Sequence, residues 1–102
     1  MVIIETPLFS RLVYDYLDED EYAALQWALT LHPELGTVIP RSGGLRKMRW
    51  AMPGKGKRGG LRVIYYWRNG AGEIWLLTLY SQNESANIPP HILKKLKEEI
   101  DL

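Results

Sequence analysis

The sequence predicts an α+β fold: a short strand, two helices, a run of antiparallel strands and a last helix. Three observations carry that reading. Between residues 7 and 31 apolar side chains recur at three- and four-residue spacing, the period of a helix with one buried face. From 37 to 81 the period changes, and β-branched and aromatic runs alternate with Gly-rich turns. After Pro89-Pro90 helical spacing returns, with Ile92, Leu93, Leu96 and Ile100 on one face.

In chain order, Val2-Ile3-Ile4 reads as a short strand. Thr6 suits a helix N-cap and Pro7 the first helical position, where proline's missing N–H costs nothing. Leu8 to Leu17 fits that first helix. Asp18 and Glu21 have the spacing of a capping box, which opens a second helix. Glu19, Asp20 and Glu21 fall in its first turn, where the helix dipole favours acids. Its expected buried stripe is Tyr22, Leu25 and Leu29, joined by Trp27. Pro33 and Gly36 end it. Thr37-Val38-Ile39 is a short strand and Ser42-Gly43-Gly44 a turn. Leu45 to Met52 is a strand of mixed faces: Arg46, Met48 and Trp50 on one, Lys47, Arg49 and Ala51 on the other. A Gly-rich basic loop covers 53–60. Leu61 to Arg68 is a strand, Asn69-Gly70-Ala71-Gly72 a hairpin turn, and Glu73 to Ser81 an apolar strand expected inside the sheet.

At 102 residues, 46% hydrophobic and 25% charged, the chain matches one soluble domain spanning 1–102. A chain of this size buries roughly 65% of the surface its unfolded form exposes. No stretch approaches the roughly 18 apolar residues of a membrane span. The start, MVIIETPLF, lacks the basic and long apolar regions of a secretory signal, so a cytoplasmic location is expected. There is no cysteine and there are only two histidines, far apart in sequence. No metal and no cofactor is expected. His32 and His91 read as surface or structural residues.

The net charge of +1 hides an asymmetry. Residues 1–40 carry seven acids and one base, Arg11. Residues 41–68 carry nine bases and no acid. The final third carries five acids and three bases. Nine cations without a counter-charge repel one another, a cost that an anionic ligand would offset. Nucleic acid is the leading candidate, because polyanion binding grows with the number of phosphates neutralised. The alternative is a solvated basic face.

The loop Gly54-Lys-Gly-Lys-Arg-Gly-Gly60 is not a P-loop: the required spacing is absent and no helix follows. Its glycines let backbone approach a ligand closely, and its cations supply charge. With Arg46, Arg49 and Arg62 on the flanking strands it reads as a cationic shelf. Trp50, Tyr65, Tyr66, Trp67, Trp75 and Tyr80 are interleaved with it. Such rings stack on unpaired bases, though Trp75 and one of Tyr65 and Tyr66 read as core.

Three blocks, GGLRKMRWA (43–51), KGKRGGLRVIYYW (55–67) and IWLLTLYSQNE (74–84), resemble the RelE/HigB superfamily of type II toxins. The chain looks most like the HigB-like branch, and the resemblance covers nearly its whole length. It implies a RelE-like fold, two N-terminal helices packed on a curved antiparallel sheet with a C-terminal helix. It also implies a ribosome-dependent mRNA endonuclease, or mRNA interferase, acting in the A site. The implied partner is a cognate HigA-like helix-turn-helix antitoxin, with no membrane involved.

Metal-free RNA cleavage turns the ribose 2′-OH onto the adjacent phosphate. It needs a base, a group to hold charge on the phosphorane, and a proton for the leaving 5′-oxygen. Arg62 matches the arginine that opens the strand after the loop in similar toxins. It is the expected phosphorane stabiliser, since its fork pairs with two phosphate oxygens and stays charged. Lys55 and Lys57 are candidates to bind phosphate, and either could act as base if crowding by cations such as Arg58 lowers its pKa. Tyr80 could stack on a base or move a proton. Asn83 and Glu84 match the Asn-Glu pair of similar toxins, and Glu84 is either a base or a partner for an arginine. Arg46, Lys47, Arg49, Arg58 and Asn83 are the expected RNA contacts.

Similar toxins often carry Gly-Lys before that Asn-Glu pair, whereas this chain has Ser81-Gln82. Two other functions stand beside the nuclease: a ParE-like gyrase poison on the same fold, and a catalytically weakened RNA-binding relic, which Ser81-Gln82 makes plausible. The acidic helices (residues 7–31) suit protein contact better than RNA.

Overall fold

The computed structural model describes residues 1–51, 60–81 and 88–100. Strand β1 (Val2–Glu5) leads into α1 (Pro7–Tyr16) and α2 (Glu19–Leu31). Strands β2 (Thr37–Val38), β3 (Arg46–Trp50), β4 (Leu61–Arg68) and β5 (Glu73–Ser81) follow, and α3 (Pro90–Glu98) closes the order. The fold is α+β, as the change of period predicts. Among the described residues no helix is long and apolar enough to cross a membrane.

The helix signals act where the sequence puts them. Thr6 Oγ1 accepts from the Phe9 amide at 3.2 Å and donates to the Leu77 carbonyl at 2.9 Å. One buried hydroxyl thus caps α1 and ties it to β5. Asp18 Oδ1 accepts from the Glu21 amide at 2.7 Å, and Glu21 Oε1 accepts from the Asp18 amide at 2.9 Å. That completed box satisfies two amides that would otherwise lack partners at the start of α2. Glu5 accepts from Ser10 Oγ and from the Tyr22 hydroxyl, linking β1 to both helices.

The five strands form one sheet in the order β1-β5-β4-β3-β2. Three of the pairings are antiparallel, but β1 runs parallel to β5, with Ile3 opposite Ile74. The sheet is therefore mixed, which corrects the all-antiparallel expectation. Parallel neighbours need a long crossover between them, and here everything from α1 to β4 supplies it. β4 holds the middle position and β5 lies beside it, paired on both edges.

A bulge interrupts the β4–β5 pairing. Ile64 faces Thr78 but Tyr65 faces Leu76, which leaves Leu77 as the extra residue. The bulge resets which face each residue takes, and Leu76 through Tyr80 are all buried because both faces are covered. Leu76 and Leu79 join the core under α1 and α2, while Leu77 and Tyr80 join the core under α3.

The sheet is thus covered on both faces. On the first, Phe9, Val13, Leu25 and Leu29 of the helices pack on Val63, Tyr65 and Leu76. Full burial of a side chain such as Phe9 is worth about 2–3 kcal/mol. On the second, Leu93, Leu96 and Ile100 pack on Leu45, Ile64 and Leu77. Two apolar residues depart from their expected place. Trp27 is 65% exposed, because Tyr22, Leu25 and Leu29 already fill the inward side of α2. Ile92 is also exposed, on the outer edge of the α3 stripe.

Candidate active site

Register fixes which candidate residues can meet. Residues directly opposite in antiparallel strands project from the same face, with Cβ atoms about 5 Å apart. Arg49 lies opposite Arg62, and Arg62 opposite Tyr80. These three form one row across β3, β4 and β5. The next row is Lys47, Ile64 and Thr78. Ile64 and Tyr80 belong to the core under α3, so both rows lie on that face.

Arg62 is only 7% exposed and Tyr80 only 8%. Among the described residues, Arg62 has neither a hydrogen-bond partner nor a counter-ion. The ion pairs found there are His32–Glu34 and Arg68–Glu73. The Tyr80 hydroxyl is buried and also lacks a hydrogen-bond partner. Burial pushes its pKa above the ordinary 10.0, and the nearby Arg62 charge pulls the other way without cancelling that rise. Arg62 faces a second cation, Arg49, directly across the strand pair, where like charges destabilise. A largely buried arginine with no partner among the described residues and a buried phenol with a spare proton are both costly. An anion seated between them would relieve both.

The opposite face treats the same residue types differently. Arg46 lies opposite Tyr65, half-buried on the face of the sheet that α1 and α2 cover. Arg46 Nη1 donates to the Gly36 carbonyl at 2.8 Å and to the Glu34 carbonyl at 3.3 Å. Its guanidinium sits 5.7 Å from the Trp67 ring centre. The Tyr65 hydroxyl donates to the Pro33 carbonyl and accepts from the Gly36 amide, both at 2.7 Å. A Cβ at Gly36 would lie 2.8 Å from the Tyr65 ring, so only glycine admits this close approach. Arg46 and Tyr65 together hold the α2–β2 connection. The structure therefore does not bring Arg46 together with Arg62.

Lys47 borders a small recess of about 50 Å³ on the Arg62 face. Ile39, Ile64, Tyr80, Ile88 and Leu93 complete its lining. The apolar spacing assigns Ile39 and Leu93 to strand and helix packing, and nothing local marks them as the wall of a site. Of the other rings, Trp75 donates to Glu73 at 3.1 Å and carries the Arg68 guanidinium 5.9 Å above it, while Tyr66 lies 4.5 Å under Lys97 Nζ. His32 caps the end of α2 and His91 lies in the first turn of α3, both exposed and off the sheet. No cluster of three metal-ligating side chains occurs among the described residues.

Lys55, Lys57, Arg58, Asn83 and Glu84 lie outside the described residues. Their flanking residues do not. Trp50, Leu61 and Ser81 share the row next to Arg49, Arg62 and Tyr80. Both segments therefore join the sheet one residue from the Arg62 row. No protein-family model matches this chain.

Proposed function

We propose that this chain is the toxin of a type II toxin–antitoxin pair: a cytoplasmic, ribosome-dependent endoribonuclease that cuts mRNA in the A site. One observation carries the reading: a buried arginine and a buried tyrosine hydroxyl stand side by side on a cationic face, with no partner for either among the described residues. The resemblance of 43–51, 55–67 and 74–84 to RelE/HigB toxins supports it.

In this reading the ribose 2′-oxygen attacks phosphorus and the bond to the 5′-oxygen breaks. The products are a 2′,3′-cyclic phosphate and a 5′-OH. Arg62 holds two non-bridging oxygens as negative charge builds. Its side chain is already largely buried and anchored on the strand, so little reorganisation is needed. Tyr80 stays protonated at neutral pH, because burial raises its pKa. It serves as a donor to the phosphate or to the leaving oxygen, not as the base. Exposed Arg49 and half-buried Lys47 hold flanking phosphates. The base falls to Lys55, Lys57 or Glu84, whose segments join the sheet one row away. Between rounds a HigA-like helix-turn-helix antitoxin holds the toxin.

The test is 5′-end mapping of a defined mRNA incubated with the purified protein, with and without translating ribosomes. Cuts within codons that require ribosomes are the expected result. Intact mRNA together with altered plasmid topology in expressing cells would overturn this reading in favour of a gyrase poison.

A further inference from the structure

Eight large apolar side chains are exposed among the described residues, and four of them fall between 27 and 38: Trp27, Leu31, Leu35 and Val38. Trp27 and Leu31 are one helical turn apart, on the side of α2 opposite its buried Leu25 and Leu29. Exposed Ala23 and Ala24 continue that outer side toward the helix start. α2 is therefore apolar on two sides, and only one of them faces the core. Single exposed apolar residues need no explanation, but a contiguous stripe does.

Two further observations say what would cover it. The stripe is held rigid at its end, because Arg46 and Tyr65 bind the backbone of 33–36 through four hydrogen bonds. A surface already fixed loses little entropy on binding. Its border is mostly acidic; the two basic groups near it, His32 and Arg46, are held against Glu34 and the 34–36 backbone. Asp20 lies two turns before Trp27 on the same side, Glu19 stands beside it, and Glu34 follows Leu31. Residues 1–40 hold a single base, Arg11. A second copy of this chain would set Asp20 and Glu34 against their own kind, so charge disfavours self-pairing.

We propose that the outer face of α2, centred on Trp27 and Leu31, docks an amphipathic helix of a partner protein whose apolar stripe is flanked by Lys and Arg. Trp27 is the anchor, in the way buried aromatics dominate interfaces. Leu31 and Leu35 extend the contact, and Asp20 and Glu34 meet the partner's cations. This surface lies on the side of the sheet away from Arg62, so the partner leaves the cationic row open. The proposal holds whether or not that row cleaves RNA.

The test titrates the full-length, isotope-labelled chain by NMR with two synthetic 18-residue helices. One carries leucine at three- and four-residue spacing with lysine elsewhere, and the other replaces each lysine with glutamate. The expected result is shifts confined to 20–38 with the lysine peptide and none with the glutamate peptide. Trp27→Ala weakens binding at least tenfold, as loss of an interface anchor does, while the chain stays folded because Trp27 is exposed. Three results would overturn the proposal: no binding of the lysine peptide, shifts mainly on 46–68, or equal binding of both peptides. Concentration-dependent dimerisation abolished by Trp27→Ala would overturn it too, by assigning the face to a second copy.

Discussion

Arg46 and Arg62 stand on neighbouring strands, as Tyr65 and Tyr80 do, yet the members of each pair differ in what they touch. Arg46 spends its donors on two backbone carbonyls, and Tyr65 makes two hydrogen bonds to the same connection. Arg62 and Tyr80, both buried, make none among the described residues. One polar atom breaks the pattern on the first face, the buried Trp67 Nε1, which lacks a partner beneath the Arg46 guanidinium. The lesson is physical. Polar side chains that hold a fold are satisfied within it, whereas side chains kept for a ligand carry a cost until the ligand arrives.

That contrast breaks or sharpens with paired substitutions. The largest effects come from the tyrosines. Tyr65→Phe leaves the Gly36 amide and Pro33 carbonyl unpaired and destabilises by about 2–3 kcal/mol in chemical denaturation. Tyr80→Phe removes a hydroxyl that bonds nothing among the described residues. Its stability stays within about 0.5 kcal/mol of the parent, while cleavage falls about 100-fold, the scale of a lost proton donor. Equal destabilisation by both would end the distinction between the faces.

The arginines give the next largest difference. Arg62→Met replaces a buried charge, unpaired among the described residues, with an apolar chain of similar length, and stability rises by about 1 kcal/mol. Arg46→Met loses two charge-assisted hydrogen bonds and costs about 1–2 kcal/mol. Thermal unfolding of the two variants side by side checks the opposite signs.

The smallest effect is a slope with pH. Burial raises the pKa of Tyr80, of Tyr65 and, with help from the Glu5 carboxylate, of Tyr22 above the ordinary 10.0. Above pH 10 the unfolded chain releases protons that the folded chain keeps. The unfolded state then binds fewer protons, so stability falls as pH rises. Below about pH 10 these groups contribute no slope. Denaturation midpoints should be flat through pH 8–9 on their account and drop beyond 10, less steeply in Tyr80→Phe.

Much of the fold was legible because its signals are local. Thr6-Pro7 and the Asp18/Glu21 box depend on residues within one turn. Ser42 closes its turn by donating to the Ile39 carbonyl and accepting from the Leu45 amide. The parallel pairing of β1 with β5 was not legible, since its partner lies about seventy residues away and alternation carries no direction. The bulge at Leu77 was hidden for a related reason: a continuous apolar run gives no face assignment. Three- and four-residue spacing places Tyr22, Leu25 and Leu29 on the buried side of α2, and Trp27, two residues from Leu25 and so outside that spacing, faces solvent.

The site was half legible. Alternation already separates Arg46 from Lys47 and Arg49, and the absence of acids in 41–68 foretells a cation without a counter-ion. Sequence alone does not reveal which arginine finds carbonyls at hand. That depends on the α2–β2 connection folding back over β3, a tertiary contact.

The most direct test compares Arg62→Ala with Arg46→Ala in ribosome-dependent cleavage of a defined mRNA, with rates normalised to the folded fraction. Loss of one preorganised donor to a developing oxyanion costs about 100- to 1,000-fold. Arg62→Ala should lose that much, while Arg46→Ala, once corrected for folding, stays within a few-fold of the parent. Parent-like cleavage by a folded Arg62→Ala protein would contradict the assignment of the α3-covered face as the catalytic one.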